Sequence, residues 1–242
     1  MAESTSSQFQ ATSPLPAEDS DLPVWHEMND VHGQIRPHWQ NLGLKIQRWG
    51  SEERNSTLTA AARMSADLGT TFNVYSDVGN TGQPFELDPI PLMIPPADWV
   101  QVSAGMAQRM RLIDAVLADL YGSQELLKQG LIPPDLVNAS PAFLQYVRGV
   151  QPMGGHFITT IGCDLVRAPN GEWTVLHDHT SAPGGLGQVL ENRYVTSNLL
   201  SDLFEGIQIA RLGAFFDTER STMHALLPRR DEMPNVVFLT PG

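Results

Sequence analysis

Trp99, Val102, Met106, Met110, Ile113, Leu117 and Leu120 recur at three- and four-residue steps, the period of one helix face turned to a core. The spacing predicts a long helix that starts at Asp98 or a neighbour and stops at Tyr121-Gly122. Upstream, Pro37 suits the first turn of a helix running to about Trp49. "STLTAAARMSADLG" reads as a further helix, capped by Ser56 or Thr57 and ended by Gly69. Downstream, "SQELLKQG" and part of "LIPPDLVNASPAFLQYV" read as short helices. "GLGQVLENRYVTSNLLSDLFEG" reads as a helix that buries Val189, Leu190, Val195, Leu199, Leu203 and Phe204.

The period changes in three places. "TTFNVYSD" is rich in β-branched and aromatic residues and reads as a strand. "GGHFITTIGCDLVRAPNGEWTVLHDH" holds two apolar runs around "APNGE", where Asn-Gly is a strong hairpin signal. It predicts two antiparallel strands near residues 156–167 and 172–177. "NVVFLTPG" reads as a short strand of the buried type. Between the first strand and the long helix, prolines and glycines break the chain into turns and extended pieces. These elements predict an α+β fold, a mixed or antiparallel sheet with packed helices.

Composition narrows the class. The chain has 242 residues, 41% of them hydrophobic, which is globular in character and enough for a real core. Residues 1–24 are rich in Ser, Thr, Pro and Glu with few apolar anchors, and are expected to form a disordered tail. Order is expected over residues 25–234, with 235–242 opening a following unit. No run of 18 uncharged apolar residues occurs, so no membrane partner is expected. The formal charge of -12 argues against a nucleic-acid partner, which needs an excess of Lys and Arg. One cysteine, Cys163, excludes an internal disulfide and fits a cytoplasmic location.

Three groups of residues carry candidate chemistry. His177 and His179 lie two apart in a strand and so share a face. With Asp164 on the paired strand they form a candidate site for a divalent ion. Substrate contact, acid–base work and plain hydrogen bonding at a sheet edge remain open for the same side chains. Gly184, Gly185 and Gly187 precede a helix, where open backbone N–H groups can hold a phosphate or carboxylate. Their spacing is not the dinucleotide fingerprint, no Walker lysine follows, and an ordinary turn explains them equally well. Arg109 and Arg193 are candidate anion contacts, or else partners of carboxylates such as Asp114 and Glu191.

Longer segments carry a resemblance. "RPHW", "FNVY", "LDPIPLMIP", "QRMRLIDAVLADLYG", "LIPPDLV", "GVQPMGGHF", "DLVRAPNGEWTVLHDHTSAPGGLGQVLENR" and "VVFLTPG" occur in one order from about Trp25 to Gly242. Together they resemble the circularly permuted ATP-grasp type 2 family, distant relatives of glutathionylspermidine synthetase-like ligases. The resemblance implies ATP and magnesium as cofactors and small carboxylate and amine substrates. The implied reaction is ATP-dependent ligation, with peptide-bond formation as the type. It further implies metal contact at Asp164, His177 and His179, and phosphate contact at Gly184, Gly185, Gly187 and Arg193. Arg193 and Arg109 would act on acyl-phosphate charge. The family's active versions place Glu at the position of His177 and Asn at that of His179, a pair the related branch often lacks, and the family shows Ser at that of Gly184. The family module continues beyond "VVFLTPG". The chain is therefore expected to supply one side of a cleft and to be inactive alone, with a second chain as the partner for the other side. A non-catalytic binding or assembly module is the alternative.

Overall fold

The computed structural model describes residues 25–69, 71–72, 83–84, 87–181, 183–227 and 235–237. The expected tail over 1–24 lies outside them, as do most of "TTFNVYSD" and residues 238–242. The described fold is α+β: helices dominate, and two antiparallel two-stranded ribbons accompany them.

A tight turn at the start closes on an Asn29–Ile35 bridge, with Asp30 accepting the His32 and Gln34 N–H groups. The 3-10 turn Pro37–Trp39 leads into α1, Gln40–Gln47, and α2 follows at Ser51–Leu68. Helix α2 begins five residues before the expected cap. Gly50 occupies the cap position, while Ser56 and Thr57 are interior and return their hydroxyls to the Glu53 carbonyl. Both are weak helix formers, and their back-bonding hides a start that Glu52 and Glu53 in the first turn support electrostatically. Gly69 closes α2 in the left-handed conformation, as expected. Strands β1, Thr71–Phe72, and β2, Gln83–Pro84, form the first ribbon.

Helix α3, Pro96–Tyr121, is about 39 Å long. Its predicted stripe from Val102 to Leu120 is the covered side, although Trp99 at its start stands exposed. After it come α4, Glu125–Lys128, and α5, Pro134–Asn138. Asp119 anchors α4 by accepting the Glu125 and Leu126 N–H groups, and Gln124 is held at positive φ between them. Tyr121 stacks on Phe157 with ring centroids 5.6 Å apart, and its hydroxyl accepts the Leu144 N–H.

The second ribbon pairs β3, Gly162–Arg167, with β4, Trp173–His179. The expected strand start at residue 156 is corrected to 162. Asp114 of α3 takes the N–H groups of Phe157 and Ile158, so the chain there runs onto the helix rather than into a ladder. In the connecting turn Gly171 donates to the Ala168 carbonyl at φ +86, and the Trp25 ring lies where a Cβ on Gly171 would stand.

Helix α6, Leu186–Leu199, breaks at Leu200 before α7, Ser201–Phe204. Val195 and Thr196 are buried, and α2, whose buried residues are the small Ala61 and Ser65, packs on this helix. Val189 and Leu190, expected inside, are exposed; the Leu203 side chain lies outside the described residues. Trp39, Leu42 and Leu200 form the centre of the core, with Ile35, Trp49, Met93 and Phe204 around them. Lys45 of α1 donates to the Asp202 carbonyl and ties α1 to α7. A last helix, α8, Gly213–Ala225, was not legible: Thr218, Ser221 and Thr222 interrupt its polar pattern, each bonding a carbonyl four residues back. Asn235–Val237 take no strand pairing among the described residues.

Candidate functional site

Register in the β3–β4 ribbon decides which side chains can act together. The pairing runs Gly162–His179, Cys163–Asp178 and Asp164–His177, then shifts so that Leu165 faces Val175. Leu176 is the extra residue of this bulge. A bulge inverts the alternation beyond it. Trp173 and Val175 face inward before it, and Asp178 faces inward after it, while Leu176, His177 and His179 all face outward. Without the extra residue, an unbroken alternation from Trp173 would turn both histidines toward α3.

Helix α3 holds the inner face at two points. At its start Asp98 accepts Arg167 Nη1 at 2.6 Å and Trp173 Nε1 at 3.2 Å. Arg167 also pairs with Glu27 at 3.1 Å, donates to the Gly171 carbonyl and lies 4.0 Å over the Trp173 ring. Its side chain is only 9% exposed. Burial opposes ionisation of Asp98, but the Arg167 and Trp173 hydrogen bonds outweigh it and hold the carboxyl below its ordinary range. Eleven residues along α3, Arg109 grips Asp178 with both Nε and Nη2, at 2.8 and 2.6 Å. The Cys163 thiol donates to the same carboxylate at 3.1 Å. Arg109, then Cys163, pull the Asp178 pKa down to about 2. Burial, then the Asp178 contact, pushes the Cys163 thiol up to about 11, so it is a poor nucleophile.

The outer face is open. His179 Nε2 meets Asp164 Oδ2 at 2.9 Å, and the His177 ring stands edge-on to His179 at 4.6 Å between centroids. Beyond the strand, Pro183 packs beside Gly162, whose Cβ would stand 3.1 Å from that proline and 3.5 Å from His179 Cβ. This contact brings the start of α6 to the end of the ribbon. Gly185 caps α6 at φ +94, no side chain caps the first turn, and no acidic residue lies in it. Cβ atoms on Gly184 and Gly187 would meet nothing within 4 Å. The backbone there is open to an anion.

The expected site residues are therefore partitioned. Asp164, His177 and His179 share the outer face, and Pro183, just ahead of Gly184, Gly185 and Gly187, lies beside its end at Gly162. Arg109 does not join them, because its guanidinium is committed to Asp178 on the other face. Arg193 donates to the Ala210 carbonyl at 3.1 Å and lines a cavity that contains no residue of the ribbon. Asp178 lies between the two histidines, where alternation turns it to the opposite face, and Arg109 as its partner needed the fold. The aromatic–ionic cluster of Trp25, Glu27, Asp98, Arg167 and Trp173 left no local signal, since its members come from three distant segments.

The family model for circularly permuted ATP-grasp type 2 matches residues 91–242. The chain belongs to that family. The match covers α3, the β3–β4 ribbon and α6, so both the open face and the helix behind it lie within the ATP-grasp region. The chain is 32% identical over 226 residues to the uncharacterized protein Rv2567 of Mycobacterium tuberculosis, covering 90% of this chain and 26% of that protein. It is 36% identical over 176 residues to the uncharacterized protein sll0335 of Synechocystis, covering 73% and 37%. It is also 29% identical over 219 residues to the uncharacterized protein Rv2411c of M. tuberculosis, covering 90% and 39%. The chain thus spans about a quarter to two-fifths of the length of these relatives.

ATP-grasp proteins generally use ATP and magnesium, and the two fit this chain differently. The glycine-led start of α6 suits a phosphate. Magnesium demands near-octahedral oxygen ligation. The outer face offers one carboxylate, already bonded to His179, and two imidazoles. Among the described residues no group of three His, Cys, Asp or Glu side chains is placed to hold a metal ion. These residues do not fit magnesium.

Proposed function

We propose that this chain forms one wall of a nucleotide site, in a protein whose inherited chemistry is ATP-dependent carboxylate–amine ligation. The observation that carries the reading is the contact of Pro183 with Gly162. It joins the outer ribbon face to the open start of α6 within the region that marks the family. Peptide N–H groups at that start would receive a phosphate, and His177 and His179 would lie beside it as hydrogen-bond donors. Arg109 is a positioning residue in this reading: it fixes Asp178 and so turns the histidines outward. With no magnesium ligand set among the described residues, the chain alone binds nucleotide without turning it over.

The test is ATP binding by the full chain, followed by calorimetry with and without magnesium. Binding is expected to be saturable and unchanged by magnesium, with no ADP release above a blank. Gly187→Glu places a carboxylate in the first turn of α6, where it suits the helix dipole but repels phosphate. It should weaken ATP about ten-fold or more while leaving thermal stability intact. Steady ADP release abolished by Arg193→Ala would overturn the inactive reading. Absence of ATP binding would overturn the nucleotide wall itself.

A second reading follows from Val236 and Val237, which are 52% and 80% exposed at the end of the described chain. Apolar side chains in that position suit a covering partner. In this form the chain is half of a split ligase or an assembly module. ATP affinity that rises only when a polypeptide matching the remaining length of the relatives is added would favour it.

A further inference from the structure

Among the described residues, Arg193 is the one charged side chain lining a cavity of about 340 Å³, set between residues 91–94, α6 and residues 204–212, with Gln208 as a neutral polar neighbour on the lining. The walls are mostly apolar: Leu92, Ile94, Trp99, Phe204, Ile209 and Leu212. Thr196 also lines it, but its hydroxyl donates back to the Asn192 carbonyl at 2.7 Å. The one partner that Arg193 shows among the described residues is the Ala210 carbonyl, a neutral acceptor reached through Nη1. Arg109 and Arg167 differ in having carboxylate partners. Arg109 holds Asp178, and Arg167 holds Glu27 and Asp98.

A guanidinium carries five N–H donors in a planar fork, and one bond to a carbonyl leaves most of the fork available. Apolar walls lower the local dielectric and strengthen any ion pair formed against them. An inorganic phosphate would lose hydration there and gain nothing from the walls. A carboxylate at the end of a hydrocarbon chain matches both parts: its two oxygens fit the fork, and its tail buries against Trp99, Phe204 and Ile209. We propose that the cavity around Arg193 binds a small carboxylate bearing an apolar tail. The site is separate from the outer ribbon face, and the proposal does not depend on nucleotide binding there.

The experiment is calorimetric titration of the full chain with hexanoate and no nucleotide, alongside hexanol, acetate and inorganic phosphate. Hexanoate is expected to bind saturably at one site. Hexanol, which lacks the charge, and acetate, which lacks the tail, should each bind at least about ten-fold more weakly. Phosphate should not compete. Arg193→Gln should weaken hexanoate about ten-fold or more. Should that variant fail to fold, Leu92→Trp decides instead: Leu92 is 54% exposed at the cavity wall, so a larger ring is tolerated and narrows the site. It too should weaken hexanoate about ten-fold. Hexanoate that does not bind the folded chain, binding equalled by hexanol or displaced by phosphate, or affinity unchanged in the decisive variant would overturn the proposal. Because no nucleotide is present, either result leaves the ATP reading to its own test.

Discussion

Along the inner face of the β3–β4 ribbon, Cys163, Arg167, Trp173 and Asp178 all reach partners. Along the outer face Leu176 is 67% exposed, Val166 is exposed, and the polar side chains meet only one another. One hairpin thus carries a side fastened by charge to a long helix and a side left for something else to meet. The difference shows how a fold with few buried side chains among its described residues can still hold a surface in register. The inner contacts fix the ribbon, and the bulge at Leu176 then selects which residues it presents.

The largest expected effect comes from removing the buried end of that fastening. Arg167→Ala would leave Glu27 and Asp98 without their shared cation and would remove the guanidinium that lies over the Trp25 and Trp173 rings. Loss of one member of a buried ionic cluster strands the remaining charges, so a destabilisation of about 3 kcal/mol is expected. Urea unfolding followed by tryptophan fluorescence would measure it. A change within error of wild type would mean that the inner face is not what holds the ribbon.

Arg109→Ala should cost less, because its side chain and that of Asp178 are both partly exposed. Its signature is the pH profile. The Asp178 carboxyl titrates at about 2 in the fold against an ordinary 3.8, so the folded chain binds fewer protons there. The stability it contributes is fully present above about pH 4 and is lost as pH falls through about 2. In Arg109→Ala this acid-side loss should shrink, because the variant has already lost the pair at neutral pH. Denaturation midpoints compared at pH 7 and pH 3 in both chains would show it. Parallel profiles would separate Arg109 from the depressed carboxyl.

What the sequence could show about this division follows from range. The helix stripe from Val102 to Leu120, the Asn-Gly turn and the left-handed Gly69 are local patterns, and each appears where expected. That His177 and His179 share a face also followed from period two, but not that this face is the outer one. The bulge did not, because an extra residue in a strand leaves no compositional mark at Leu176. Nor did the inner contacts: Arg109 and Asp178 are far apart in sequence, and each alone has a bland reading on a solvated surface. Helix α8 was hidden by its own hydroxyls. The segment from Pro91 to Ile94 signals only extended chain, so the cavity it shares with Arg193 needed the fold to appear.

The smallest expected effect belongs to the outer face and is the sharpest check on the contrast. His177→Ala and His179→Ala remove side chains whose contacts are to each other and to Asp164, which is itself exposed. Substitutions at such positions fall within about 0.5 kcal/mol of wild type. Unfolding midpoints of the two variants should therefore match the parent, while ATP affinity should fall in both if the histidines border the phosphate. Stability loss comparable to that of Arg167→Ala would make the outer face structural, and the two sides of the ribbon would then differ in exposure alone. Unchanged stability with reduced nucleotide affinity would assign the open side to binding and the closed side to holding it in place.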